Sequence, residues 1–269
     1  FSPSTSAYFN IYWGFWSQSQ IDSYVNAQIA DIASAVGTLD ATGVGLALCN
    51  CVDFGVAPVT RGIFGNASRR DRVTAAIGRV NDGVEDLARQ HRLVLVDVNG
   101  LATAILGTNT ALRQFLAIGN VNIQLFNRDT TTHTNPLAGF VDDGAHPHTT
   151  LQGVFANLMM TALNTGWGAG YSMFSDQEIL AHGGIAYGGA ETLAGQIGPY
   201  SQYIRSFWCS ADFDNDGDTG TDIDIEAFFA CLGGSCCITC GSADFDGDGD
   251  VGTDLDIETF FRVLGGGSC

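Results

Sequence analysis

The feature that most constrains the fold of this chain is a repeat with an offset of 32 residues near its end. The segment SADFD occurs at residues 210–214 and again at 242–246, and the motif DIE followed by Phe-Phe recurs at the same offset. So many matches at one offset indicate a duplicated structural unit. A helix is predicted around each Phe-Phe pair, and these aromatic side chains would supply the core of a small module.

Each copy opens with aspartates at alternating positions, followed by a glycine in register, Gly217 or Gly249. An EF-hand loop holds calcium with oxygen ligands at positions 1, 3, 5, 7, 9 and 12, and it has glycine at position 6. Positions 1, 3, 5 and 6 match in both copies. Position 12 falls on Ile223 or Leu255, whose side chains cannot bind a metal. The sequence therefore predicts two calcium sites with an altered last ligand.

One inserted residue would bring Asp224 and Asp256 into the last position, with Asp222 and Asp254 as the alternatives. A solvated acidic segment that binds nothing is the competing interpretation, but two copies with glycine in register favour calcium. The predicted ligands are Asp212, Asp214, Asp216, Asp218 and Asp224 in the first copy and Asp244, Asp246, Asp248, Asp250 and Asp256 in the second.

Charge and cysteine are both concentrated in this tail. Residues 209–269 hold 14 of the 29 acidic residues and a single basic residue, Arg262. Such a negative segment suits cations and argues against nucleic acid as a partner. Six of the eight cysteines also lie there, which favours a disulfide framework formed in an oxidising compartment. Zinc bound through Cys236, Cys237 and Cys240 is the alternative. Cys49 and Cys51, on an apolar strand, are expected to be buried free thiols, with a disulfide to a cysteine elsewhere as the alternative.

Helical and extended patterns alternate in the rest of the chain. A capping box at Ser17–Gln20 precedes a predicted helix to about residue 42, and Ser68 is expected to cap a second helix that ends near His91. Short apolar runs at 44–52 and 93–98 predict strands buried on both faces of a parallel sheet. Further predictions are a helix at 109–118, a strand at 121–126 and helices at 149–163 and 175–182. This order indicates an α/β domain over residues 1–164, an extension or linker over 165–208, and the tail over 209–269.

Asp143-Gly144-Ala145-His146-Pro147 is the candidate catalytic motif, on a loop ahead of a predicted helix. An aspartate can orient an imidazole and stabilise its charged form, and the imidazole can then act as a general base for a serine. Asp142 is the second choice for the carboxylate. A capped loop with a hydrogen-bonded histidine is the structural alternative. His148 and His133 are expected at the surface or behind the site.

Residues 141–163 resemble the last conserved block of the SGNH, or GDSL-type, hydrolases, in which Asp-x-x-His-Pro precedes a helix with a glycine near its start, here Gly153. The resemblance implies a three-layer, flavodoxin-like sheet, a secreted serine ester hydrolase, and roles for Asp143 and His146 as orienting carboxylate and base. The Gly-Asp-Ser and Gly-x-Asn-Asp motifs of that family do not occur here. The chain is therefore expected to be the C-terminal part of a longer enzyme, N-terminally truncated and inactive alone.

The tail resembles a dockerin, more narrowly the cysteine-bearing form found at the C-terminus of secreted planctomycete proteins. This implies a small α-helical module of EF-hand type, a secreted or cell-surface location, and a cohesin-like or cell-surface anchoring partner. The substrate implied by the hydrolase resemblance is a small-molecule, carbohydrate or lipid ester. A transmembrane helix is not predicted, because no apolar run reaches about 18 residues.

Two other interpretations are retained. In one, the α/β part is a degenerate scaffold and the whole chain is a non-catalytic secreted anchoring module. In the other, a serine of this chain, such as Ser2, Ser172 or Ser175, is the nucleophile, although none lies in a predicted strand-to-helix turn.

Overall fold

The computed structural model describes residues 5–129, 135–207, 209–237, 240–246 and 250–267. The helices are α1 (Thr5–Tyr12), α2 (Gln18–Asp40), α3 (Pro58–Ile63), α4 (Ala67–Gln90), α5 (Val98–Leu106), α6 (Thr149–Trp167), α7 (Asp176–His182), α8 (Ala194–Ile197), α9 (Asp222–Leu232) and α10 (Asp254–Leu264). The strands are β1 (Ala47–Cys49), β2 (Val94–Val96), β3 (Phe115–Ile118), β4 (Val121–Asp129), β5 (Ala138–Val141) and β6 (Ile204–Ser206). The chain is thus of mixed α/β class, as predicted.

The first sheet has the order β1-β2-β6, with β1 parallel and β6 antiparallel to the central strand β2. Side chains of β2 alternate between two cores. Val94 and Val96 pack in the core formed with α5 and α6, whereas Leu95 packs in the core formed with α1, α2 and α4. Helices therefore cover both faces of this strand.

The predicted flavodoxin-like sheet is not what the structure contains. The described strands fall into two sheets of three. In the second sheet, β3-β4-β5, the central strand β4 is antiparallel to β3 and parallel to β5. The strand predicted at 44–52 to be buried on both faces is a short edge strand, because β1 pairs with β2 alone among the described strands. Cys49 is exposed and Cys51 half-buried, so the expectation of buried thiols was wrong, although both are free.

The predicted helices largely form where the periodicity places them. Ser17 caps α2 through the predicted capping box, and α4, α6 and α7 are all present. The cap of α4 was assigned wrongly. Asn66 occupies that position, and its side-chain oxygen accepts a hydrogen bond from the Arg69 amide at 3.1 Å.

The helix predicted at 109–118 was wrong. Residues 115–118 form β3, which turns directly into β4 through Gly119 and Asn120. Both turn residues have positive φ, 57° and 65°, the backbone conformation that a two-residue type I′ hairpin requires. The helix in this region lies earlier, at α5, where the Asp97 side chain accepts a hydrogen bond from the Gly100 amide at 2.7 Å.

The segment 165–208 was expected to form an extension or linker, but its described residues, 165–207, pack into the α/β structure. They supply β6 to the first sheet, and Leu193, Ile197 and Tyr203 are buried in the core shared with α5 and α6. Asp176 ties this segment to the β3–β4 turn. Its Oδ2 accepts hydrogen bonds from the amides of Gly119, Thr192 and Leu193 at 2.6–3.0 Å.

The tail has its own aromatic core. Phe228 and Phe260, the first residue of each Phe-Phe pair, are fully buried and stack with ring centroids 4.1 Å apart. Phe213 and Phe245, the second residue of each acidic loop, complete the cluster. The second residue of each pair, Phe229 or Phe261, is exposed. One aromatic of each predicted pair therefore builds the core, together with an aromatic from each loop.

Candidate functional site

The Asp143–His146 loop joins β5 to α6 and is held at both ends. The Val141 amide donates to the His146 carbonyl at 3.0 Å, and the His148 amide donates to the Gly139 carbonyl at 2.8 Å. A third hydrogen bond, from the Val59 amide to the Gly144 carbonyl at 3.1 Å, attaches the loop to α3. Gly144 has φ of 68°, a conformation that favours glycine. The loop is therefore fixed by its backbone before either side chain is considered.

Asp143 organises the loop and orients the histidine. Its Oδ1 accepts hydrogen bonds from the amides of Ala145 and His146 at 2.8 and 3.0 Å, and its Oδ2 pairs with Nδ1 of His146. Partial burial raises the pKa of Asp143, but the hydrogen bonds from His146 and from the Ala145 amide outweigh it and lower the pKa to about 2. The carboxylate is thus charged at neutral pH and holds one tautomer of the ring.

His146 presents its other ring nitrogen outward. Its side chain is 77% exposed, and no residue in the described part of the chain forms a hydrogen bond with Nε2. The arrangement is that of a base and its orienting carboxylate. Asp143 and not Asp142 contacts the ring. His148 is buried as the N-terminal cap of α6, not at the surface, and His133 lies outside the described residues.

The chain contains a second aspartate–histidine pair that sequence reasoning missed. Asp40 Oδ2 lies 2.7 Å from Nδ1 of His91, at the ends of α2 and α4. The two residues are 51 positions apart, so no local motif signals the pair. They lie near Leu46 and Leu93, before β1 and β2, whereas the segments that follow those strands approach the Asp143 loop. Ligand sites in α/β sheets lie at the carboxyl ends of strands, which favours the Asp143–His146 pair.

The serines proposed as nucleophiles gain no support from the structure. Ser175 caps α7, with its hydroxyl donating to Glu178 Oε2 at 2.8 Å in a complete capping box. Ser172 is exposed in the segment between α6 and α7, and Ser2 lies outside the described residues. None of the serines in the described ranges forms a hydrogen bond with His146.

In the first acidic loop, carboxylate oxygens of Asp212, Asp214 and Asp216 all lie within 4.8 Å of one another. Asp212 accepts hydrogen bonds from the amides of Asp216 and Gly217 at 3.1 and 3.2 Å, which closes the loop around it. Burial raises the pKa of Asp212, and repulsion from Asp224 and the other loop carboxylates raises it further. Gly217, at the predicted glycine position, has φ of 100°. Crowded, mutually repelling carboxylates are a donor set that fits a hard divalent cation.

In the second loop, the converging oxygens belong to Asp244, Asp246 and Asp256. Asp244 is buried, and Arg92 of the α/β part forms an ion pair with it. Asp250 is exposed, as is Asp218 of the first loop, and neither belongs to a converging group among the described residues. Asp248 lies outside the described residues. Alternating aspartates therefore come together in both copies.

Asp224 and Asp256, predicted as the last ligands, have a structural role that sequence reasoning missed. Each is fully buried and completes a capping box with Thr221 or Thr253 at the start of α9 or α10. Asp224 Oδ1 accepts from the Phe213 amide at 2.6 Å, and its Oδ2 accepts from the Thr221 amide at 2.7 Å. The Thr-x-x-Asp spacing was the available signal. Asp222 and Asp254, the alternative ligands, are exposed in the first turn of their helices.

Disulfides join Cys231 to Cys236 and Cys237 to Cys240, and Cys209 is also disulfide-bonded. These two disulfides include Cys236, Cys237 and Cys240, the three thiols that the alternative interpretation assigned to zinc. Cys269 lies outside the described residues.

None of the helices in the described ranges has both the length and the hydropathy needed to cross a membrane. Comparison with protein-family models, curated proteins and solved structures finds no significant match to this chain.

Proposed function

We propose that the α/β part of this chain carries the general-base half of an ester-hydrolysing site. The observation that carries the proposal is the Asp143–His146 pair, in which the carboxylate holds Nδ1 and Nε2 is exposed. In such a pair, Nε2 takes the proton of a serine hydroxyl as it attacks an ester carbonyl, and the carboxylate stabilises the imidazolium that forms. Nε2 then returns the proton to the leaving alkoxide.

The nucleophile belongs outside the described residues in this proposal, as the SGNH resemblance implies. A fluorophosphonate probe, which reacts with activated serines, is expected to leave this chain unlabelled. Labelling of Ser2, Ser172 or Ser175 would instead place a complete site within this chain. Either outcome is read by mass spectrometry of the digested protein.

The test of the base uses p-nitrophenyl acetate, an ester activated enough to report an unassisted imidazole. We expect slow hydrolysis that falls in His146→Ala and in Asp143→Asn, with a residual rate above buffer from other nucleophiles such as the exposed Cys49 thiol. The matched control is His91→Ala, which removes the other aspartate–histidine pair and should keep the parent rate. Equal rates for His146→Ala and the parent protein would refute the assignment of the base.

We propose further that the tail binds two calcium ions, one in each acidic loop. The converging carboxylates of Asp212, Asp214 and Asp216, and of Asp244, Asp246 and Asp256, support this part of the proposal. Calorimetric titration of the full chain should show two saturable sites that vanish with a chelator. Asp212→Asn should remove one site, and Asp222→Asn, which changes an exposed carboxylate outside the groups, should remove none. A secreted location and an anchoring partner stay predictions of the dockerin resemblance.

A further inference from the structure

A cavity of about 240 Å³ adjoins the Asp143–His146 loop. Ala145 and Pro147, the residues on either side of His146, form part of its wall. The remaining wall comes from α5, from the start of α6, from β5 and from the segment that follows β1. Its main contributors are Phe54, Ala102, Ile105, Phe140, Leu151 and Phe155.

The lining of this cavity is apolar apart from one residue among those described, Asp53. Both carboxylate oxygens of Asp53 are already engaged. Oδ1 accepts from the Gly55 amide at 2.7 Å, and Oδ2 accepts from the Thr74 hydroxyl at 2.6 Å. Carbohydrate hydroxyls would lose their water in this cavity without gaining partners, which is unfavourable. A hydrocarbon group would gain from the same burial.

We propose that this cavity binds the acyl chain of an ester substrate whose carbonyl carbon lies beside His146. The inference rests on the proposed function and names its substrate class. An apolar cavity of about 150 Å³ accommodates benzene, so one of 240 Å³ accommodates a straight chain of about eight to ten carbons. The occupant is thus a medium-length acyl group. Because the cavity wall continues into the His146 loop, its carbonyl end lies at that loop and its alkyl end lies in the cavity.

The cavity can be tested by binding alone, because binding needs no nucleophile. Methyl butyrate, methyl octanoate and methyl laurate are titrated into the full chain while the methyl signals of Ile105 and Leu151 are followed by NMR. Affinity should rise about fourfold per added methylene up to octanoate, as expected for burial of apolar surface, and then level off.

Two substitutions change the volume of the cavity in opposite directions. Ala102→Phe fills it from α5 and should weaken octanoate binding at least about tenfold, whereas Thr103→Phe, at an exposed position of the same helix outside the lining, should not. Phe155→Ala enlarges the cavity and should shift the preference towards laurate. That gain cannot come from a misfolded protein.

The proposal is overturned if octanoate binds no better than butyrate, or if Ala102→Phe leaves binding unchanged. These outcomes are separable from failure of the proposed function. If His146→Ala hydrolyses p-nitrophenyl acetate as fast as the parent protein while octanoate still binds, His146 is not the base, but the cavity is still an alkyl-binding site. If His146→Ala lowers the hydrolysis of p-nitrophenyl acetate but octanoate does not bind, the proposed substrate class is refuted and the assignment of His146 as the base is kept.

Discussion

Arg92 joins the α/β part to the second acidic loop through Asp244. Its guanidinium lies 3.2 Å from Asp244 Oδ2 and also donates to the Asp244 carbonyl at 2.6 Å. Asp244 is the first predicted ligand of that loop, whereas Asp212, its counterpart in the first loop, forms no ion pair among the described residues. The two copies of the repeat are therefore not equivalent in the folded chain.

This asymmetry predicts different calcium affinities for the two loops. The positive guanidinium occupies Oδ2 of Asp244 and repels a cation in the loop, so Arg92→Gln should raise the affinity of the second site by about fivefold, the equivalent of one ion pair. The first site should be unchanged. Calorimetric titration of the variant, with Asp212→Asn used to identify the first site, measures both. A second site that weakens would mean that Arg92 holds Asp244 in its binding position.

Asp224 should act on stability even without metal. Asp224→Asn replaces an acceptor with an N–H group opposite the Phe213 or Thr221 amide, and leaving such buried donors unpaired costs about 1–3 kcal/mol. Hydrogen exchange at those two amides, measured with a chelator present, should accelerate. Asp222→Asn, at an exposed aspartate two residues earlier in the same helix, is the matched control. If the two amides of Asp224→Asn exchange as slowly as in the parent protein with the chelator present, Asp224 acts only as a metal ligand.

Local signals predicted much of this fold. The capping box at Ser17, the helical spacing of α4 and α6 and the buried run at β2 depend on neighbours in sequence, and each element forms where expected. The Gly119-Asn120 pair between two apolar runs was an equally local hairpin signal, but the surrounding residues were interpreted as a helix. Long-range pairing was not predictable. Neither the edge position of β1 nor the antiparallel addition of β6 can be read from periodicity.

The contacts of the candidate site also divide into those between neighbours in sequence, which can be predicted, and those between distant residues, which cannot. Asp143 and His146 are three residues apart, and the loop places them together as the motif predicts. The pair Asp40–His91 and the ion pair Arg92–Asp244 join residues distant in sequence, so only the fold brings them together. The walls of the apolar cavity come from three separate stretches of the chain, 52–57, 98–106 and 140–155, for the same reason.

Asp176 should be important for the stability of the α/β part. It is buried, and one carboxylate oxygen accepts three main-chain hydrogen bonds that connect α7, the β3–β4 turn and the segment before α8. Asp176→Ala should destabilise the protein by about 2–3 kcal/mol, because hydrogen bonds to a charged group are lost and buried amides are left unpaired. Urea denaturation measures the change. Asp142→Ala, at an exposed aspartate, should leave the midpoint unchanged, and a similar midpoint for both variants would contradict the assignment.

The Asp143 carboxyl group should titrate at about pH 2 in the folded protein, which carbon NMR of the side-chain carboxyl measures directly. Because this pKa lies below the ordinary value of 3.8, the hydrogen bonds of Asp143 stabilise the fold fully above about pH 4. That contribution is lost as the pH falls towards about 2. His146→Ala removes the ring partner and should shift the pKa of Asp143 upwards, though not to 3.8, since the Ala145 amide still donates. A pKa at the ordinary value in the parent protein would show that the aspartate does not hold the histidine, and the base would then lack its orienting group.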